Sequence, residues 1–263
     1  MLTHRYDGAA LSRQPDHLIV EEPLEIHLDG VLVATTMRTP GHDFELAAGF
    51  CFTEGLLDGA PVRQCKYGGS GSAVESEFNV VNVDTGGRAP IPTPRLTMTT
   101  SACGMCGTTA IDELRERLHA LPPRRPFALD VLASVPDRVV GDQQLFDVTG
   151  GVHAAVAFAR EGGPVLGRED IGRHNAVDKV VGRLLLDDAL PAGELGLWVS
   201  GRASFEIVQK AWAAGFGTVV AVSAPSSLAV SAARLAGMTL CGFARGGRLN
   251  VYTPVDGMSE PGA

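Results

Sequence analysis

The sequence predicts an α/β protein in two parts, a smaller β-rich part over residues 1–125 and an α/β part with a largely parallel or mixed sheet over residues 126–263. Three observations carry this. Beyond residue 150, short apolar runs alternate with helical patterns, and the order strand, helix, strand, helix, strand implies parallel strands joined by crossover helices. Before residue 125, strand-like runs separated by turn residues dominate. The composition, 45% hydrophobic and 20% charged over 263 residues, supplies a packed core and excludes a disordered chain.

In the first part, Glu25–Leu28 and Val31–Thr35 read as strands, with Asp29-Gly30 between them as a hairpin turn. After Pro40-Gly41, Asp43–Phe50 reads as a helix with Asp43 and Glu45 in its first turn, where the helix dipole favours acids. Gly68–Ala73 is a Gly/Ser loop, Phe78–Val83 alternates like a strand, and Gly86–Pro94 is a connector. From Thr109, the residues Ile111, Leu114, Leu118 and Leu121 fall on one helical face, and Pro122-Pro123 ends it.

In the second part, Val152–Ala159 reads as a strand and Asn175–Leu186 as a helix with Val177, Val180, Val181 and Leu184 inward. Leu195–Val199 and Thr218–Val222 are strands, each followed by a helix, at Phe205–Ala214 and Ser227–Ala236. Thr239–Phe243 and Leu249–Tyr252 close the sheet. Ligands of such sheets bind outside the carboxyl ends of the strands. The loops there are Ser200–Ser204, Ala224–Ser227 and Ala244–Arg248, all built of small residues, two of them carrying arginine.

Charge narrows the function. With 22 Lys and Arg against 30 Asp and Glu, the net charge is −8, which argues against a nucleic-acid binder. Met1–Gly30 has no apolar run of the signal-peptide kind. The uncharged stretch Ala211–Ala233 is broken by Gly215, Gly217 and Pro225, so no membrane span is expected and the cytoplasm is the expected compartment. Five cysteines, an odd and sparse set, do not make a disulfide framework.

Cys103-Gly-Met-Cys106 is the first candidate for chemistry, and its residues leave three readings open: thiol or sulfur chemistry, half of a zinc site, or a structural pair. Zinc needs two further ligands, and Cys51, Cys65 and Cys241 stand alone, so no structural zinc is expected. Cys51 and Cys241 read as small core residues, while Cys65 has no clear reading. The run Arg168–Asn175, entering a helix, suits an anion through Arg173 and the helix amides, against the alternative of a solvated loop with an Asn cap. His174, at that helix start, reads as functional. Gly201-Arg202-Ala203-Ser204 and Ser226-Ser227 open helices and offer free amides and hydroxyls. Arg245 and Arg248 flank Gly246 and Gly247, which let a ligand approach the backbone. Gly150–Ala155 contains His153 but has Ala155 where a zinc nucleobase deaminase needs glutamate, and the CxxC precedes the histidine, so deamination is excluded.

Together these segments resemble the formate dehydrogenase accessory sulfurtransferase family, FdhD. The matching stretches are Arg38-Thr-Pro-Gly-His42-Asp43 through Phe50, Phe52-Thr-Glu54-Gly55, and Ser101-Ala-Cys103-Gly-Met-Cys106-Gly107. They continue with Gly150-Gly151-Val-His153-Ala, Glu169-Asp-Ile-Gly-Arg173-His174-Asn175-Ala-Val-Asp178-Lys179, Ser200-Gly-Arg202-Ala-Ser204-Phe-Glu206 and Ala224-Pro-Ser-Ser227. The last is Gly242-Phe243-Ala-Arg245-Gly-Gly-Arg248-Leu-Asn250-Val-Tyr252. The resemblance implies a cytidine-deaminase-like fold that has lost its zinc, and a homodimer. It implies a persulfide carrier that takes sulfur from a cysteine desulfurase. The sulfur goes to the molybdenum cofactor, a bis(molybdopterin guanine dinucleotide), for formate dehydrogenase. On this reading Cys103 carries the persulfide, Cys106 assists, and the loop Phe243, Ala244, Arg245, Gly246, Gly247 and Arg248 contacts the cofactor.

The residues fit such a cargo independently. A polyanion of that size needs several cationic and helix-N-terminal sites on one sheet edge, for which Arg173, His174, Arg202, Ser204 and Ser226 are the further candidates. Other classes stay open: a thiol-disulfide oxidoreductase, a non-catalytic cofactor chaperone, and a zinc-binding structural module.

Overall fold

The computed structural model describes residues 1–68, 73–74, 76–91 and 117–253. Cys103 and Cys106 lie outside the described residues, as do most of the helix expected from Thr109 and most of the Gly68–Ala73 loop.

The chain opens with a hairpin of β1 (Leu2–Tyr6) and β2 (Leu11–Pro15) that stands as its own two-stranded sheet. Next come β3 (Glu22–Leu28), β4 (Val31–Arg38), α1 (Asp43–Thr53), β5 (Gln64–Tyr67) and β6 (Val80–Asp84), whose strands form a four-stranded sheet in the order β4-β3-β6-β5. Asp29 and Gly30 both adopt positive φ, 48° and 85°, as a two-residue turn matched to strand twist requires. The Asp29 carboxylate accepts from the Thr85 amide at 2.7 Å and so ties this turn to the end of β6. Alternate strand residues, Leu24, Ile26, Leu28, Val81 and Val83, pack under Leu46, Ala47 and Cys51 of α1.

The rest of the chain contains α2 (Leu129–Arg138), a 3₁₀ turn (Val140–Asp142), α3 (Gln144–Thr149), β7 (His153–Phe158), β8 (Pro164–Asp170) and α4 (Arg173–Leu186). It continues with β9 (Gly196–Val199), α5 (Phe205–Ala213), β10 (Thr218–Ala221), α6 (Ser227–Ala236), β11 (Thr239–Arg245) and β12 (Arg248–Val251). The six strands order as β12-β11-β10-β9-β7-β8. Only β9, β10 and β11 run parallel; β7, β8 and β12 pair antiparallel to their neighbours, so the sheet is mixed. Its central strands β7, β9 and β10 are buried on both faces. Ala155, Ala157, Leu197 and Val219 face α4, α5 and α6, while Ala154, Val156, Trp198 and Val220 face α2.

Three elements depart from the sequence expectation. β8 replaces what reads as a loop before α4, because an edge strand with charged residues lacks the apolar alternation of a half-buried one. α2 carries Pro136 inside it, a residue that locally argues against helix. The hairpin β1–β2 is short and exposed, with no apolar face turned inward.

α1 and α4 join the two sheets. They cross at Gly49 and Gly182, so closely that a Cβ on Gly49 would overlap the Asp178 carbonyl and one on Gly182 the Glu45 carbonyl. Around this crossing lie buried ion pairs: Arg38 with Asp43 (3.0 Å), Lys179 with Asp170 (2.8 Å) and Lys210 with Asp178 (2.8 Å). Asn175 donates to the Met37 carbonyl at 2.8 Å, and the Thr39 amide donates to Asp170 at 3.1 Å.

Candidate functional site

The carboxyl ends of β9, β10 and β11 share one edge, and the N-termini of α5 and α6 open from the loops there. Because β7 runs antiparallel to β9, its first residue, His153, comes to the same edge, opposite Asp170 at the end of β8. Only two residues separate the end of β8 from the start of α4, which brings Arg173 and His174 there too. The sequence candidates of the second half, scattered over residues 153–248, therefore collect on one edge.

His174 Nε2 lies 3.3 Å from Ser204 Oγ and 3.9 Å from Glu206 Oε2. Burial, then Arg173 and Lys210, pushes the His174 imidazole down to about 4, so it is neutral at pH 7. Serine and glutamate both approach the same ring nitrogen. A hydrolase triad needs them on opposite nitrogens, so this trio positions groups and does not activate a serine nucleophile. The His153 ring is likewise held below its ordinary value, by burial and then by Arg173 and Arg202. Beside it, Gly201 leaves room: a Cβ there would meet His153 Nδ1 at 3.4 Å and Arg173 Cδ at 3.9 Å.

The cations divide into two sets. Arg38, Arg168, Lys179 and Lys210 are matched by carboxylates. Among the described residues, Arg173, Arg202, Arg245 and Arg248 make no ion pair, and the Arg173 Nε is buried without a partner. All four stand on the edge. An edge with unpaired guanidinium groups and helix N-termini can bind an anion.

Several assignments gain detail. Arg168 is turned away from any ligand, its fork filled by Glu45 at 2.5 and 2.9 Å. Glu169 accepts from the Leu145 and Phe146 amides at the start of α3 (2.8 and 2.9 Å). Asp170, Asn175, Asp178 and Lys179 belong to the joint with the first sheet. Ser226 caps α6, its Oγ accepting from the Ala229 amide at 3.1 Å, which leaves its hydroxyl proton for a ligand. Gly246 and Gly247, at φ 56° and 71°, form the β11–β12 turn, a backbone need that precedes any ligand. Phe243 sits at a bulge in β11 with φ 53° and 41% exposure. Bulges re-aim side chains, and this one turns an aromatic ring out beside Arg245, with Ala244 buried between them.

Burial pushes the Cys51 thiol far up, Cys241 up to about 12 and Cys65 up to about 11. None of the three is a thiolate near pH 7. Among the described residues, no group of three or more His, Cys, Asp or Glu side chains is placed to hold a metal ion. Among them, too, no helix is long and apolar enough to cross a membrane. The described chain resumes at Arg117, which donates to the Glu54 and Thr53 carbonyls at 2.6 and 3.1 Å; the Leu121 amide then donates to Ala236 at 2.9 Å. The sequence gives His153 no site role beyond its place in a family-matching stretch, whereas β7 runs it up to the arginine edge; the antiparallel turn at 159–163 is the signal for that placement.

The FdhD/NarQ family matches residues 19–258. Curated relatives called sulfur carrier protein FdhD are similar along nearly the whole chain. The one from Streptomyces avermitilis is 49% identical over 94% of this chain and 91% of its own. That from Mycobacterium bovis is 46% identical over 92% of each. A crystal structure described as a formate dehydrogenase accessory protein from Desulfotalea psychrophila shares the fold, with a TM-score of 0.75, 24% identity, and coverage of 97% of this chain and 96% of that one.

Proposed function

The chain belongs to the FdhD/NarQ family, and on that premise we propose that it is a sulfur carrier in the maturation of formate dehydrogenase, a sulfurtransferase with Cys103 as the carrier. The observation that carries this reading is the name, sulfur carrier, borne by relatives 46–49% identical over more than nine-tenths of the chain. The raised pKa values of buried Cys51 and Cys241 and of half-buried Cys65 support it by leaving the Cys103-Cys106 pair as the source of a reactive thiolate.

The chemistry runs in two steps. The Cys103 thiolate attacks the outer sulfur of a cysteine desulfurase persulfide; the Cys103 S–S bond forms, the donor S–S bond breaks, and the donor cysteine leaves as a thiolate. Cys106 then attacks the inner sulfur of the Cys103 persulfide. A disulfide forms, hydrosulfide leaves for the acceptor, and a cellular thiol later reduces the disulfide. The acceptor is the molybdenum cofactor in its bis(molybdopterin guanine dinucleotide) form, a substrate here. Arg173, Arg202, Arg245 and Arg248, with the N-termini of α5 and α6 at Ser204 and Ser226, would bind its phosphates. His174 would stay neutral beside them, and Phe243 would offer a ring face. The protein acts as a homodimer in the cytoplasm, where thiols stay reduced.

The test is to incubate the protein with cysteine and a cysteine desulfurase and weigh the Cys103 peptide without reductant. A gain of one sulfur, removed by reductant, is expected. An unmodified peptide from an active desulfurase would transfer the case to a second reading, a non-catalytic cofactor chaperone. That reading has its own support in the arginine edge, which involves no cysteine; it predicts that a Cys103→Ala/Cys106→Ala variant still activates formate dehydrogenase.

A further inference from the structure

The hairpin of β1 and β2 carries none of the site residues. It precedes the family-matched residues 19–258, and among the described residues neither strand pairs with any other element. An isolated two-stranded hairpin is marginal in water and gains stability from a third strand or a packed face. Its two faces are unlike. The register sets Leu2 opposite Pro15, His4 opposite Arg13 and Tyr6 opposite Leu11. Side chains alternate along a strand, so these six share one face, and Thr3, Arg5, Ser12 and Gln14 share the other. The first face holds the apolar residues and is turned to solvent: Leu2 is 54% exposed, Tyr6 and Leu11 66% each. On the polar face, Thr3 and Gln14 are half-buried. The hairpin is thus amphipathic with its apolar side outward.

The backbone of β2 completes the surface. The Asp7 amide donates to the Ala10 carbonyl at 3.3 Å, and the Asp16 amide to the Met1 carbonyl at 2.8 Å, which closes the ladder at both ends. Bonded and non-bonded pairs alternate in an antiparallel ladder, so Leu11, Arg13 and Pro15 turn their backbone groups to the free edge of β2. Leu11 and Arg13 each offer an N–H and a C=O there, and Pro15 offers a C=O alone. The same three residues lie on the outward face, where the charged Arg13 stands between two apolar neighbours. No acid shares that face, and Asp7 at the turn is occupied, its carboxylate accepting from the Ala9 and Ala10 amides at 2.9 Å each.

We propose that the β2 edge receives an extended segment of a partner protein as a third strand, one whose outward side chains run apolar, acidic, apolar. Backbone donors and acceptors repeating every second residue are the complement of another strand, which fixes the class of ligand as polypeptide. Arg13 takes the carboxylate, and Leu11 and Pro15 take the apolar side chains on either side of it. A short strand bearing a cation and a proline resists unselective pairing, so the acid is what admits the segment. A second copy of this chain, laid edge to edge about a two-fold axis at β2, would set Arg13 against Arg13. The occupant is therefore a different chain. The inference is independent of the carrier reading above.

The experiment titrates the ¹⁵N-labelled full-length protein with the blocked peptide Val-Thr-Glu-Thr-Val and, separately, with Val-Thr-Lys-Thr-Val, following the backbone amides by NMR. The glutamate peptide is expected to give saturable shifts that alternate along β2, large at the edge-facing Leu11 and Arg13 amides and small at Ser12 and Gln14. It should bind about tenfold more tightly than the lysine peptide, because opposite charges attract across strands and like charges repel. Arg13→Glu, at an exposed position, should reverse that preference. Amides that stay fixed under both peptides overturn the proposal, as do shifts lying elsewhere than β2 or a preference unchanged by Arg13→Glu. Sedimentation velocity of both proteins closes the test. Self-association that Arg13→Glu abolishes would give the edge to a second copy and overturn the proposal.

Discussion

Lys210 and Asp178 form a buried ion pair, with Nζ 2.8 Å from Oδ2, and the same ammonium reaches Glu54 at 3.0 Å and Thr53 at 2.9 Å. Burial pushes the Asp178 carboxyl up to about 6 against the pull of Lys210. For Lys210, burial works against the charge, but Asp178 and Glu54 more than offset it and hold the amine above its ordinary range. Three helices, α1, α4 and α5, meet through this cluster, so it fixes how the two sheets sit together.

Removing one partner leaves the other charge buried alone. Lys210→Met should therefore cost about 3–5 kcal/mol of stability. Adding Asp178→Leu should recover much of that loss, because an apolar pair of similar volume needs no compensation. Urea denaturation of the two variants checks both; a single variant as stable as the parent would contradict the burial described.

The pH dependence of stability follows from two groups of opposite sign. His174 has a folded value of about 4 against an ordinary 6.5, so stability is lost as pH falls from about 6.5 towards 4. Asp178 has a folded value of about 6 against 3.8, so the native state holds an extra proton between them and stability falls as pH rises across that window. The two partly cancel between pH 4 and 6 in the parent. His174→Gln should expose the Asp178 slope. Direct observation of the His174 ring by NMR should show no titration near pH 6.5.

Gly49→Ala and Gly182→Ala each insert a methyl into backbone, not into a side chain that could turn aside. Overpacking of this kind costs at least about 1–3 kcal/mol, and fixed backbone puts these two at the upper end or beyond. Thermal unfolding measures it, with Gly141→Ala, which meets nothing within 4 Å and needs no positive φ, as the comparison.

Thiol labelling should separate the cysteines by burial. Iodoacetamide at pH 7.5 is expected to modify Cys103 and Cys106, the proposed reactive pair, and to reach the buried Cys51 and Cys241 only after unfolding. Peptide mass spectrometry reads this residue by residue, and native labelling of Cys51 or Cys241 would contradict the packing.

On the arginine edge, Arg202→Ala and Arg248→Ala should each weaken GDP binding about tenfold and leave stability within about 0.5 kcal/mol, since both are exposed and unpaired. Arg168→Ala should do the reverse, because its guanidinium belongs to Glu45. Calorimetric binding with parallel urea melts distinguishes the two patterns.

Much of this architecture is legible locally. Asp29-Gly30 announces its turn, and Ser226 followed by Ser227–Ala236 matches the observed cap and helix residue for residue. The short apolar runs of β9 and β10 stand out between Gly-rich punctuation. The edge loops were readable for the same reason. What the local pattern does not carry is whether a charge is free. Arg168 and Arg173 stand five residues apart in one motif, yet the partner that occupies Arg168 is Glu45, 123 positions away. Likewise β8 reads as a charged loop because its charges face α1 and α4 of a remote joint. Pairing at long range, and strands stabilised by it, need the fold to be seen.

Gly49 and Gly182 bring two helix backbones into contact with no side chain between them. Packed helices that slide do so on layers of side chains that can exchange rotamers. This crossing has no such bearing surface, so the two sheets form a workbench rather than a vice. On the proposed carrier reading, donor, cargo and recipient would each visit a fixed rim in turn, and the pace of delivery would be set by their arrivals and departures, not by the opening and closing of jaws.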